Sequence, residues 1–207
     1  MTRRDLAFRE VVTSVLPANS VAAMTTLTAT TDIPEITAEE RAARLTEAGA
    51  AWSDRIDMNR SSSKLTYKVT GVGEGSVATR VTSGRHEFVI DEPEALAGDD
   101  VAASPVEYAL GALIGCQTVV YRLYAQNLGI QVDDIKVTAE GDLDAARLLG
   151  KDASVRPGFS DIRLNVELTG PESQERYEEL RKAVDEGCPV FDLFANPTPV
   201  SVTVTKA

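Results

Sequence analysis

The chain has 207 residues and a formal net charge of −11, with 43% hydrophobic and 26% charged residues. These values are ordinary for a globular domain, and the negative charge disfavours binding to nucleic acid phosphates. The two cysteines and the single histidine lack zinc-site spacing, and no phosphate-binding loop or serine-hydrolase motif occurs. With no signal-like apolar core near the start and no run long enough to span a bilayer, we expect a cytoplasmic protein with reduced thiols and no membrane partner.

Residues 1–61 are predicted to form an N-terminal extension. Residues 1–36 show no clear period, so they are expected to be a loosely ordered arm or an element packed on a partner. A helix is predicted at 37–52, because Thr37 starts a capping-box pattern and apolar residues then recur on one helical face. The polar stretch 59–64 is predicted to link this helix to the main domain.

Three short strands are predicted next, from alternating β-branched and aromatic residues at 64–70, 76–82 and 85–91. The GVGEGS segment after the first strand is interpreted as a flexible hairpin turn, so the strands should form an antiparallel meander. His86 in the third strand is expected to face solvent or a neighbouring strand. The acidic stretch 91–103 lacks calcium-loop spacing and is predicted to be a solvated loop.

A long helix is predicted after Ser104, which suits the N-cap, with Pro105 at the first helical position and Glu107 completing a capping box. Gly129 is a suitable C-terminal stop. The helix is apolar nearly all round, which places it at the centre of the fold or of a dimer. Cys116 lies in its middle, and from position alone a small buried apolar residue is the simpler interpretation.

The remaining elements are two strands at 134–144 and 160–170, an amphipathic helix at 171–187 and a final strand at 199–206. A long connection joins the first two strands, and the CPVFDLF segment is expected to be a short turn. The predicted order is strands, a buried helix, strands, an amphipathic helix and a final strand. This order indicates an α+β domain with mainly antiparallel sheets.

Cys188 follows the helix-ending Gly187 and precedes Pro189. If the proline opens a new helical turn, Cys188 becomes its N-cap, where backbone N–H groups and the helix dipole would favour a thiolate. A simple cap is the alternative. Only the fold could bring Cys188 and Cys116 together, and a transient disulfide is compatible with a reducing compartment.

The sequence resembles the OsmC/Ohr family. The resemblance rests on SPVEYALGALIGCQTVV and, about seventy residues later, CPVFDLFANPTPVSVTV, and it runs from about residue 62 to 207. It implies an OsmC-like domain at 62–207 that forms an intertwined homodimer. The two long helices would lie at its centre, with active sites at the subunit interface.

The resemblance also implies a thiol-dependent peroxidase that reduces organic hydroperoxides as an antioxidant. Cys116 would be the peroxidatic residue that becomes a sulfenic acid, and Cys188 the resolving residue that forms a disulfide with it. A dithiol reductant would reopen the disulfide, with no metal or organic cofactor. The apolar surroundings of Cys116 favour alkyl or fatty-acyl peroxides.

Further candidates come from two positions where the chain departs from the family pattern. The family glutamate after the helix-opening proline is replaced by Val106, and Glu107 comes one position later, where it suits a cap better than a catalytic role. An ungapped match places Gly75 where the family has a thiolate-pairing arginine. Arg80 and Arg85 are the nearby candidates, since a cation would stabilise a thiolate.

Two alternatives remain open from the sequence. The chain could be a non-catalytic OsmC-like dimer that binds a hydrophobic small molecule, which the missing glutamate favours. It could also be a redox sensor whose cysteines form a disulfide but turn over poorly. Peroxide consumption separates the enzyme from both.

Overall fold

The computed structural model describes residues 33–206, which form an α+β structure with two antiparallel sheets. The part of the predicted arm before residue 33 lies outside the described residues. In chain order the elements are α1 (Ala38–Met58), β1 (Thr70–Glu74), β2 (Ala78–Ser83), β3 (His86–Ile90), α2 (Pro105–Leu128), β4 (Asp134–Asp142), β5 (Asp161–Thr169), α3 (Gln174–Gly187) and α4 (Pro189–Ala195).

Helix α1 begins where the sequence predicts. The Thr37 hydroxyl accepts the Glu40 N–H at 3.1 Å, and the Glu40 carboxylate accepts the Thr37 N–H at 2.9 Å. The helix continues to Met58, beyond the predicted end, because the SDRIDM segment contains no glycine or proline to stop it. The predicted linker forms a single 3-10 turn at Arg60–Ser63.

The predicted meander is confirmed, with β1 pairing to β2 and β2 to β3. The first strand is displaced, however: it is Thr70–Glu74 rather than 64–70, so most of the predicted turn is strand. The chain reverses after Glu74, where Gly75 takes a φ of 57°, a left-handed conformation that favours glycine. This position fixes the pairing of Val72 with Arg80.

Helix α2 has the predicted capping box at Ser104 and Glu107, and Gly129 ends it with a φ of 62°. Its residues buried within the chain lie along one face: Leu113, Gln117, Val120, Tyr121 and Ala125. Exposed residues on another face are mostly small: Gly111, Ala112, Gly115 and Val119. Neither α2 nor any other helix within residues 33–206 is long and apolar enough to cross a membrane.

The main core lies between α2, α3 and the β4–β5 hairpin. Strands β4 and β5 pair along their whole length, and every second side chain is partly buried. The fully or largely buried members of the cluster are Val120, Tyr121, Ala125, Ile130, Leu180, Val184 and Cys188. This core holds the elements that carry both cysteines.

Two predictions for the C-terminal part are wrong. The CPVFDLF segment is a helix, α4, because Pro189 at its first position suits a helix start. The described residues at 199–206 form no strand, and Val200, Val202 and Val204 are exposed. A strand requires a neighbouring edge for its hydrogen bonds, and this segment has none within the described chain.

Candidate functional site

The fold brings the two cysteines into contact. Cys116 on α2 and Cys188 before α4 are separated by 72 residues in the chain, yet their Sγ atoms lie 3.3 Å apart. Both are free thiols. Cys116 is half-buried, whereas Cys188 is 1% exposed, so the pair has one accessible and one enclosed member.

The junction of α3 and α4 positions Cys188. Helix α3 ends at Gly187, and Cys188 is the N-cap of α4, as the sequence predicts from Pro189. The ring of Tyr124 on α2 packs directly against Gly187, where an added Cβ would overlap its phenol oxygen. Glycine therefore lets α2 approach the junction closely enough for the sulfur atoms to meet.

The prediction that the start of α4 favours a thiolate at Cys188 is wrong. Burial raises the pKa of the Cys188 thiol, and the neighbouring Cys116 raises it further. Hydrogen bonds from the backbone N–H groups of Phe191 and Val190 lower the pKa, as expected at a helix start, but they do not outweigh burial. The environment of Cys188 therefore disfavours its thiolate form.

An apolar groove of about 620 Å³ lies beside the thiol pair. Its walls come from α2, β5, α4 and the connection before β5. They are mainly apolar, with Leu113, Phe159, Ile162, Leu164, Phe191 and Phe194, but Arg156 and Asp161 also line the groove. Leu113 is one helical turn before Cys116, and Phe191 is one turn after Cys188. This arrangement suits a ligand with an apolar chain.

The other two predicted site residues are engaged elsewhere. The Glu107 carboxylate accepts the Ser104 backbone N–H at 2.8 Å and its hydroxyl at 2.6 Å, and these bonds hold the pKa of Glu107 below its ordinary value. The Arg80 guanidinium binds Glu74 at 2.8 Å and Glu87 at 3.0 Å, which raises the pKa of Arg80. Within residues 33–206 neither sulfur receives a hydrogen bond from an arginine.

Sequence reasoning missed Gln117, the residue after Cys116. Its side chain is 1% exposed, and its Nε2 has no hydrogen-bond partner among the described residues. A polar residue within the apolar stripe from Leu113 to Tyr121 was the available signal. The aromatic wall formed by Phe191 and Phe194 was also missed, since CPVFDLF was interpreted as a turn.

The acidic loop after β3 is held by hydrogen bonds to a buried carboxylate and is not simply solvated. Asp91 is 2% exposed, and its carboxylate accepts the backbone N–H groups of Asp99 at 3.0 Å and Val101 at 3.2 Å. No group of His, Cys, Asp and Glu side chains in the described part of the chain is placed to hold a metal ion. His86 lies exposed at the start of β3.

Part of the sequence and the overall fold are similar to those of known proteins. The sequence model of the OsmC-like protein family matches residues 98–203, which include both cysteines. An OsmC-like protein from Mycoplasma pneumoniae is 19% identical, with a TM-score of 0.56 over 64% of this chain and 89% of its own. An organic hydroperoxide resistance protein OsmC from Legionella pneumophila is 22% identical, with a TM-score of 0.50 over 63% and 89%. No curated protein matches the chain.

Proposed function

The chain belongs to the OsmC-like family, and from that premise we propose that it is a thiol-dependent peroxidase that reduces organic hydroperoxides. The observation that carries the proposal is the 3.3 Å separation of the Cys116 and Cys188 sulfur atoms beside an apolar groove. The similar Legionella pneumophila protein is named an organic hydroperoxide resistance protein, which supports the same activity. Lone reduced cysteines suit a cytoplasmic protein.

In the first step Cys116 is the attacking residue, because it is the more accessible thiol and Cys188 has a raised pKa. The Cys116 thiolate attacks the terminal oxygen of the hydroperoxide, and the O–O bond breaks. The alkoxide leaves and takes up a proton to become the alcohol. Cys116 loses two electrons to the peroxide and becomes a sulfenic acid.

In the second step the Cys188 sulfur attacks the Cys116 sulfur. The S–O bond breaks, and the hydroxide leaves as water with the Cys188 proton. The sulfur atoms must move from 3.3 Å to about 2.05 Å, a contraction that small shifts of α4 can supply. A dithiol reductant then restores both thiols by exchange and is itself oxidised to a disulfide.

The proposal gives Glu107 and Arg80 supporting roles. Glu107 caps α2 and so fixes the start of the helix that carries Cys116. Arg80 joins β1 and β3 across β2 through its two glutamate partners. A direct catalytic role would require either side chain to leave these partners. Catalysis instead relies on the placement of the two thiols and the apolar groove.

We further propose a homodimer with the site at the subunit interface. The small-residue face of α2 formed by Gly111, Ala112, Gly115 and Val119 is exposed in the single chain and would permit close helix approach. The exposed valines of residues 199–206 suit a strand that pairs with another chain. Both features are left uncovered by the described residues.

The test is stoichiometric. Reduced protein is mixed with limiting and then excess alkyl hydroperoxide, and free thiols, intact mass and peroxide are followed. We expect wild type to lose two thiols and two mass units per chain, reversed by a dithiol, with continued turnover when the dithiol is in excess. Cys116→Ser should consume peroxide only at the uncatalysed rate, whereas Cys188→Ser should complete one turnover and stop.

Two outcomes would contradict the peroxidase. Equal multiple turnover in Cys116→Ser and wild type would remove Cys116 from the reaction. Thiols that survive excess peroxide would leave a non-catalytic dimer that binds a hydrophobic small molecule, an alternative favoured by the 620 Å³ apolar groove and the absence of an arginine bonded to either described sulfur. A disulfide that forms but is not recycled by any dithiol would indicate a redox sensor.

A further inference from the structure

A second groove lies away from the thiol pair, between the extension helix α1 and the C-terminal half of α2. It encloses about 330 Å³, at the lower end of the range for small-ligand sites. Arg41 on α1 and Arg122 on α2 both line it. We propose that this groove binds a small oxyanion-bearing metabolite, a phosphate monoester or a dicarboxylate, between the two guanidinium groups.

The charge environment of these two arginines differs from that of the other partly buried arginines. Four arginines among the described residues are partly buried: Arg41, Arg80, Arg122 and Arg176. Arg80 and Arg176 each form an ion pair with a glutamate. Arg41 and Arg122 form no ion pair with a described residue, although acidic residues outnumber basic ones in the chain. A half-buried cation without a partner is unfavourable, and two in one groove are more so.

The Arg122 guanidinium is oriented but not neutralised. It donates to the Val132 carbonyl oxygen at 2.8 Å and to that of Asp133 at 3.5 Å, which fixes its plane beside the groove. Burial and the nearby positive charge of Arg41 lower the pKa of Arg122, and the carboxylates of Asp134 and Asp133 offset this only in part. Donors remain on both guanidinium groups for an oxyanion, which would relieve their repulsion.

The other groups in the groove set the kind of anion. The lining also includes two amides, Gln126 and Gln131, and two carboxylates, Glu39 and Asp133. The Asp133 carboxylate accepts Gln131 Nε2 at 2.9 Å, while backbone and Thr37 hydrogen bonds hold the pKa of Glu39 low. These carboxylates would repel an anion outside the space between the arginines, so the site favours a compact ligand.

An anion at this position would join the extension to the main domain. In the structure Gln126 Nε2 donates to Thr46 Oγ1 at 3.1 Å, which is the hydrogen bond that connects α1 to α2. A ligand shared by Arg41 and Arg122 would add a charged connection between the same two helices. The two grooves share no lining residue, so this site is separate from the proposed peroxidase site.

The experiment uses the full reduced chain at constant ionic strength, because salt screens exposed charges. Inorganic phosphate and succinate are titrated separately, with thermal unfolding and amide hydrogen exchange as readouts. We expect at least one anion to raise the Tm saturably and to slow exchange in residues 38–46. The anion that binds more tightly identifies the ligand as phosphate-like or dicarboxylate-like.

Three variants make the result specific. Arg41→Gln and Arg122→Gln should each weaken anion binding about tenfold or more, as expected for loss of a charged hydrogen bond. Arg44→Gln, an exposed arginine on the same helix outside the groove, should bind as wild type does. If Arg122→Gln does not fold, anion binding by Arg41→Gln alone decides whether the proposal holds. No saturable response to either anion, equal binding by Arg41→Gln, or equal loss in Arg44→Gln would overturn the proposal.

Discussion

Two regions of the molecule differ in how far their apolar side chains are buried within the described chain. The helical half, formed by α2, α3, α4 and the β4–β5 hairpin, contains a continuous buried cluster from its own chain. The three-stranded sheet contributes one buried apolar residue, Val81, while Val72 is 62% exposed. The thiol pair belongs to the helical half. Its sulfur contact is therefore set by packing within one chain, whereas most side chains of the sheet are exposed in the described chain.

The thiol pair is thus separate from the sheet surface that a partner would cover. Cys188 and the residues around Cys116 pack against α3 and β5, so the disulfide-forming geometry can exist in a single chain. The sheet and residues 199–206 have exposed apolar side chains, which a homodimer would bury. Substitutions in the buried cluster and substitutions on the exposed surfaces should therefore change different properties.

The largest expected effect is in the helical half. Leu180 on α3 is 0% exposed within the core cluster. Leu180→Ala should lower the free energy of unfolding by about 3 kcal/mol, through lost burial and the cavity left behind. Leu148→Ala is the matched control: Leu148 is 71% exposed in the β4–β5 connection, so its loss should stay within about 0.5 kcal/mol. Urea unfolding measures the free energy of unfolding of both variants. Equal losses would show that Leu180 contributes no more to stability than an exposed leucine.

A smaller effect is expected at the junction that holds Cys188. Gly187→Ala would force the Tyr124 ring away from the start of α4, at a cost of about 2 kcal/mol. It should also slow formation of the Cys116–Cys188 disulfide. Gly49→Ala is the control, since Gly49 lies in α1 with open space around it. That change should stabilise the helix by up to about 1 kcal/mol. Disulfide formation as fast as in wild type would show that the contact does not depend on Gly187.

The dimer is tested on the exposed face of α2. Val119→Lys places a charge on the small-residue face and should weaken dimerisation about tenfold or more. Light scattering after gel filtration measures mass against concentration. Hydrogen exchange should then speed up in β1–β3 more than in α3, because the proposed dimer would cover the sheet. Val101→Lys, at an exposed loop valine, should leave the mass unchanged. A monomeric wild type would contradict the dimer directly.

Much of the fold follows from local sequence rules. The capping boxes at Thr37 and Ser104 fix the starts of α1 and α2, because each residue pair satisfies its own backbone N–H groups. Alternating apolar residues predict β2–β5, and in β4 and β5 every second residue is partly buried, as this pattern requires. The order of these elements is sufficient for the α+β class.

The remaining features depend on tertiary contacts that no local pattern records. The start of β1 depends on its pairing with β2, which selected Gly75 rather than Gly71 as the turn residue. The raised pKa of Cys188 results from burial in the core, which outweighs the local helix start. The sulfur contact itself required two segments separated by 72 residues to meet. Only the family resemblance pointed to that pair before the structure did.

The smallest expected effect concerns pH. Tyr121 is 1% exposed in the helical half, and burial raises the pKa of its phenol to about 12. Because the unfolded phenol ionises near pH 10, the stability contributed by Tyr121 is complete below that pH and is lost between about pH 10 and 12. Tyr121→Phe should therefore lose less stability than wild type over this range, as measured by urea unfolding. Tyr67→Phe, at a tyrosine that is 86% exposed before β1, should follow wild type. Parallel curves for all three proteins would show that burial in the helical half does not govern ionisation of Tyr121.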